Sequence, residues 1–172
     1  MTFSRTSCSW LLLWTLLTVV VSCDDGGNIA PPAVEPPASV RVVPSTVTYG
    51  VGDSVVAEVH IDSATNVGAV TLRLRYDPAV LEYVSGVEGT FMNGDGSHTV
   101  FLTGAAAGGE IAVGLTRIGR QGASGTGLLF TLEFLAVGAG DAGFDIAEGA
   151  VKDPQARNLP AVFSTVPVVV VP

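Results

Sequence analysis

Asn66-Val67-Gly68-Ala69-Val70-Thr71-Leu72-Arg73-Leu74-Arg75-Tyr76-Asp77-Pro78-Ala79-Val80-Leu81-Glu82 decides the fold of this 172-residue chain. Val70, Leu72, Leu74 and Tyr76 alternate with Thr71, Arg73 and Arg75. A period of two puts apolar side chains on one face of a strand and polar ones on the other. Asp77-Pro78 then stops the strand. The Asp carboxylate can accept local backbone N–H groups, and the proline presets φ for a turn. Val80 and Leu81 return apolar groups to the interior. Tyr76 ends the inward row, where a ring covers the core edge while its hydroxyl reaches water. On this reading Tyr76-Asp77-Pro78 is scaffold rather than a binding site.

The same period recurs on both sides of this stretch. Val55, Ala57, Val59 and Ile61 alternate with Val56, Glu58 and His60. Ile111, Val113 and Leu115 alternate with Ala112, Gly114 and Thr116, and Leu128, Phe130, Leu132 and Phe134 with Leu129, Thr131 and Glu133. Phe101 and Leu102 sit in a shorter strand after Asn93-Gly94-Asp95-Gly96, and Val166 to Val171 is a β-branched run. Gly50-Val51-Gly52-Asp53, Gly108-Gly109 and Gly138-Ala139-Gly140-Asp141 are turn signals. No segment holds a 3.6-residue period, and no internal repeat is seen. Many short strands separated by turns specify an all-β sandwich over residues 40–172.

The chain ahead of this domain is organised differently. Trp10 to Val21 is apolar apart from Thr15 and Thr18, with Arg5 before it. It is too short to span a bilayer, which takes about 20 residues, and has the length of a signal-peptide core. Val20-Val21-Ser22-Cys23 resembles the lipobox of bacterial lipoproteins. That resemblance implies a signal peptide over 1–22, lipid attachment at Cys23, and an exported protein held on the periplasmic or cell-surface face of a bacterial membrane. The alternative is an ordinary secreted protein with Cys23 near a cleavage site. Residues 23–39, with Pro31, Pro32, Pro36 and Pro37, read as an extended linker.

Composition narrows the function. Cys8 and Cys23 are the two cysteines, so the domain has no thiol for a disulfide or a cysteine metal site. Formal net charge is −8, which disfavours nucleic acid and anionic lipid as partners. His60 and His98 have no nucleophile context, and no carboxylate pair suggests acid–base chemistry. Asn93, Asp95 and Ser97 are spaced like the start of a calcium loop, but Gly104 stands where its bidentate Glu is required. A hairpin turn is the better reading there. Neither a cofactor nor a metal is expected.

Four motifs in order resemble the cohesin family, the receptor modules of cellulosomes and related bacterial assemblies. They are Val51-Gly52-Asp53 leading into a strand, the stretch from Gly68 through Tyr76-Asp77-Pro78 to Val80-Leu81-Glu82, Gly109-Glu110-Ile111-Ala112-Val113-Gly114, and Gly125-Thr126-Gly127-Leu128-Leu129-Phe130-Thr131-Leu132-Glu133-Phe134. The resemblance spans residues 40–172. It implies a jelly-roll β-sandwich of about nine strands with no catalytic activity. It also implies a flat sheet face that binds dockerin modules, so that a lipoprotein of this kind would tether polysaccharide-degrading enzymes to the cell. The face would comprise outward residues of the Ala69–Arg75 strand, the Thr99–Thr103 strand, the Ala112–Arg117 strand and the strand after Gly140.

The implied partner-binding residues are Ala69, Thr71, Arg73, Arg75 and Thr116. Type I members often carry Asn and Asp where this chain has Ala69 and Thr71, so hydrogen-bonding groups are lost, and Arg73 and Arg75 add positive charge. A solvated strand face explains the two arginines equally well. Kinship with cellulose-binding modules makes glycan binding an alternative, with Tyr49, Tyr83 and Phe91 as the aromatic candidates. A purely structural envelope lipoprotein is a further alternative.

Overall fold

The computed structural model describes residues 36–106 and 108–172. The expected signal peptide, Cys23 and most of the linker lie outside the described residues. Every described element is a strand: β1 (Ala38–Pro44), β2 (Thr48–Gly50), β3 (Ser54–Val67), β4 (Ala69–Arg75), β5 (Leu81–Glu88), β6 (Thr99–Ala106), β7 (Glu110–Arg117), β8 (Ala123–Ala136), β9 (Gly140–Asp141), β10 (Asp145–Lys152), β11 (Asn158–Leu159), β12 (Ala161–Thr165) and β13 (Val169–Val171). Nine of these thirteen run five residues or more and four run two or three, against the nine or so strands that the resemblance implies. β1 begins at Ala38, two residues inside the stretch read as linker, with Ser39 paired to both Asp62 and Val162.

Two five-stranded sheets, β12-β1-β3-β8-β5 and β11-β10-β4-β7-β6, enclose the core, and β2-β13-β9 forms a third small sheet. The alternation seen in sequence drives this arrangement. Val55, Ala57, Val59 and Ile61 point inward from β3, Val70, Leu72 and Leu74 from β4, and Ile111, Val113 and Leu115 from β7. Fully buried Phe130 and Phe134 fill the middle from β8. The Phe134 ring lies 5.3 Å from that of Tyr76, 5.8 Å from Tyr83 and 5.2 Å from Phe144. Rings at these separations and tilts add electrostatic edge-to-face attraction to area burial.

β8 departs from strict alternation in one place. Leu129 is fully buried while Leu128 is half-buried, the reverse of the sequence expectation. The β3–β8 register shifts between Val59 and His60, so Phe130 pairs with Val59 and Leu128 with His60. Leu129 is the extra residue of a bulge and turns into the core.

The Tyr76-Asp77-Pro78 turn is built as its residues dictate. The Asp77 carboxylate accepts the Ala79 N–H at 2.8 Å, and its C=O accepts the N–H groups of Val80 and Leu81. Gly109 packs beneath this turn with φ of 76°, and a Cβ there would sit 2.3 Å from the Tyr76 carbonyl oxygen. Only glycine satisfies both conditions.

Candidate functional site

The outer face of the β11-β10-β4-β7-β6 sheet is the candidate site. Its register stacks outward residues in rows across four strands. Lys152, Ala69, Thr116 and Val100 form one row, and Ala150, Thr71, Gly114 and Leu102 the next. Glu148, Arg73, Ala112 and Gly104 follow, then Asp145, Arg75, Glu110 and Ala106. All five residues singled out in sequence therefore stand on one face. Ala69 is directly opposite Thr116, and Arg73 is opposite Ala112.

Small side chains make the middle of this face shallow. A hollow of about 790 Å³ lies over Thr71, Gly104, Ala112, Gly114 and Ala150, bounded by Leu102 on one side and by Arg73 and Glu148 on the other. Leu102 is 69% exposed and Val100 44% exposed. Apolar groups held that far into water gain free energy when covered, about 1.5–3 kcal/mol for a complete leucine side chain.

The arginines do not leave the face positive. Arg73 Nη1 lies 3.0 Å from Glu110 Oε1, and its Nε lies 3.1 Å from Glu148 Oε2. Arg75 Nε lies 3.6 Å from Glu110 Oε2. Two cations and two carboxylates from three strands thus offset one another, which corrects the expectation of added positive charge. Glu110 was legible, since it shares the parity of Ala112 and Gly114. Glu148 was not: the β4–β10 register shifts between Ile146 and Glu148 and turns it outward.

Arg117, at the end of a strand assigned to this face, serves the fold instead. Its guanidinium donates to the Met92 carbonyl at 2.7 Å, to the Gln121 carbonyl at 3.1 Å and to Asp95 Oδ1 at 3.0 Å. The Arg117 guanidinium, with the Ser97 N–H, holds the Asp95 carboxyl well below the usual carboxylate range. Asp95 thus fastens the 93–96 turn to β7. Among the described residues no group of three or more His, Cys, Asp or Glu is gathered to hold a metal.

The aromatic candidates for a glycan platform are turned inward. Tyr49 is buried, with its hydroxyl 2.9 Å from that of Ser45. Tyr83 packs on Phe134 and bonds the Thr103 hydroxyl at 2.8 Å, and Phe91 is half-buried against the core. His60 rests 2.8 Å from the carboxylate of Glu58, its neighbour on β3, away from the candidate face.

A family model described as the cohesin domain matches residues 40–153. No curated protein matches the chain. Among solved structures, a non-cellulosomal cohesin from the archaeon Archaeoglobus fulgidus aligns with a TM-score of 0.64 at 20% identity, covering 80% of this chain and 93% of its own. A type II cohesin domain from the cellulosome of Acetivibrio cellulolyticus aligns with a TM-score of 0.64 at 19% identity, covering 78% and 95%. The sixth cohesin of scaffoldin B from the same organism, solved in complex with a dockerin, gives 0.62 at 20%, covering 78% and 98%. At such identities the likeness establishes the shared sandwich.

Proposed function

The chain belongs to the cohesin domain family, and from that premise we propose that it is a non-catalytic receptor module whose β11-β10-β4-β7-β6 face binds a dockerin-type protein. The observation that carries this reading is the open outer face itself: small residues in its middle, Leu102 69% exposed at its side, and charges already paired at one end. Such a surface suits a protein partner, because covering its small and apolar middle gains area while the paired charges can stay hydrated at the rim. Support for the partner class comes from relatives such as the scaffoldin B cohesin, solved with a dockerin bound.

With Ala69 and Thr71 in place of amide and carboxylate groups, recognition relies on apolar contact more than on hydrogen bonds. Thr116 and Ala69 mark one end of the contact surface, and Arg73 and Arg75 the other. Lipid attachment at Cys23 would display this module from a bacterial membrane and hold its partner, such as a polysaccharide-degrading enzyme, at the envelope.

Titration calorimetry with a dockerin-bearing chain from the same organism tests the binding. Ala112→Arg should abolish the heat while leaving the unfolding curve unchanged. Binding that survives Ala112→Arg, or no binding by any such chain, refutes the reading. Mass spectrometry of the native protein tests the anchor: an unmodified thiol at Cys23 refutes it.

A further inference from the structure

β6 ends its sheet with one side unpaired, and it lacks the guards that other sheet edges carry. β5 contains Glu82 and Glu88 and a register shift between Tyr83 and Ser85. β12 lies between Pro160 and Pro167, while β2, β9 and β11 are two or three residues long. β6 pairs with β7 over all of Thr99–Ala106 without a shift and contains neither charge nor proline. A long, regular, uncharged edge is a template for another strand.

The phase of the ladder fixes what that edge offers. The Ile118 N–H donates to the His98 carbonyl at 2.8 Å, in register with the β6–β7 pairing. Val100, Leu102, Gly104 and Ala106 therefore turn their peptide groups to β7, and Thr99, Phe101, Thr103 and Ala105 turn theirs outward. Among the described residues no backbone group meets that outward set.

We propose that this edge pairs with the same edge of a second copy of the chain, antiparallel about a two-fold axis through Leu102. In that register Thr99 meets Ala105 of the copy and Phe101 meets Thr103, so every outward N–H and C=O finds a partner. Side chains agree with the axis. Val100 lies beside Gly104 of the copy, a branched group against bare backbone, and Leu102 abuts its own counterpart, covering two side chains that are each 69% exposed in the single chain. An axis at Thr103 would leave Thr99 beyond the end of the copy's strand. Two edges of this length cover well under the ~1,200 Å² of a stable interface, so the dimer is weak and reversible. The formal charge of −8 on each copy opposes it, so added salt strengthens it. The inference does not rest on dockerin binding, and since both associations cover Leu102 they compete for that side chain.

Sedimentation of the full chain over about a hundredfold concentration range reads the equilibrium. Ala105→Pro removes an outward donor without touching the β7 ladder, so the monomer folds and the dimer weakens about thirtyfold, two bonds being lost. The register is read by cysteine pairing after Cys8→Ser and Cys23→Ser. Leu102→Cys should oxidise to a covalent dimer, since such paired Cα atoms lie about 4.5 Å apart. Val100→Cys should not, because its counterpart is about 13 Å away. A monomer throughout the range, a dimer indifferent to Ala105→Pro, or equal cross-linking at both positions would overturn the proposal. The cysteine comparison keeps its meaning even if the proline variant fails to fold.

Discussion

Phe134→Ala tests the sandwich at its centre. The side chain is fully buried on β8, and its ring contacts Tyr76 at the end of β4, Tyr83 on β5 and Phe144 ahead of β10. It therefore joins the two large sheets. Removing a buried phenylalanine costs about 3–5 kcal/mol, from lost transfer energy and the cavity left behind. Three aromatic neighbours lose a partner as well, at about 0.5–1.5 kcal/mol for each pair. The expected loss sits near the top of the range, about 4–5 kcal/mol, which is much of the stability of a domain this size. Leu135→Ala, one residue along, supplies the control. Leu135 is 39% exposed and points the other way, so its truncation should cost below about 1 kcal/mol. Urea unfolding with matched slopes measures both. A loss under about 2 kcal/mol for Phe134→Ala, or one no larger than for Leu135→Ala, would show that the core is not built as described.

Gly109→Ala should destabilise by about 2 kcal/mol or more in the same assay, since its φ is 76° and the new Cβ would meet the Tyr76 carbonyl. Arg73→Ala should change stability by less than about 1 kcal/mol, because its ion pairs to Glu110 and Glu148 are open to water; a large loss would make the cluster a structural element. Acid should weaken the fold through Asp153 and Asp95. Burial pushes the Asp153 carboxyl up, but the Arg157 N–H and guanidinium and the Gln155 N–H together outweigh it and hold it below its ordinary value. Both groups are depressed in the folded state, so the unfolded chain takes up protons first. Their stabilisation is complete above that ordinary value and falls away below it. Urea midpoints followed down to about pH 2 should drop less for Asp153→Asn than for the parent; parallel curves would refute this.

The fold was legible wherever a strand is buried on one face only. β4 and β7 show it: every residue assigned inward in sequence is inward in the structure, because a one-residue slip would expose the whole row. Legibility failed at bulges. Leu129 and Glu148 both sit where a register shift reverses the parity, and nothing in the local residue types announces the extra residue. On the candidate face the sequence located Ala69, Thr71, Arg73, Arg75 and Thr116 but misjudged their electrostatics. Charge cancellation there depends on which strands are neighbours, and β10 reaches β4 only through long-range pairing. Leu102 was seen as a strand residue, but its exposure follows from β6 being an edge.

β1 runs parallel to β12, and β2 runs parallel to β13. Each of the first two strands is thus laid beside one of the last two, in the same direction. Tension applied to the two ends of the domain would drag each pair in opposite senses along its length, a shearing geometry. Bonds in such a pair share the pull and fail together instead of peeling off singly, so the module should withstand mechanical strain far better along that axis than across it.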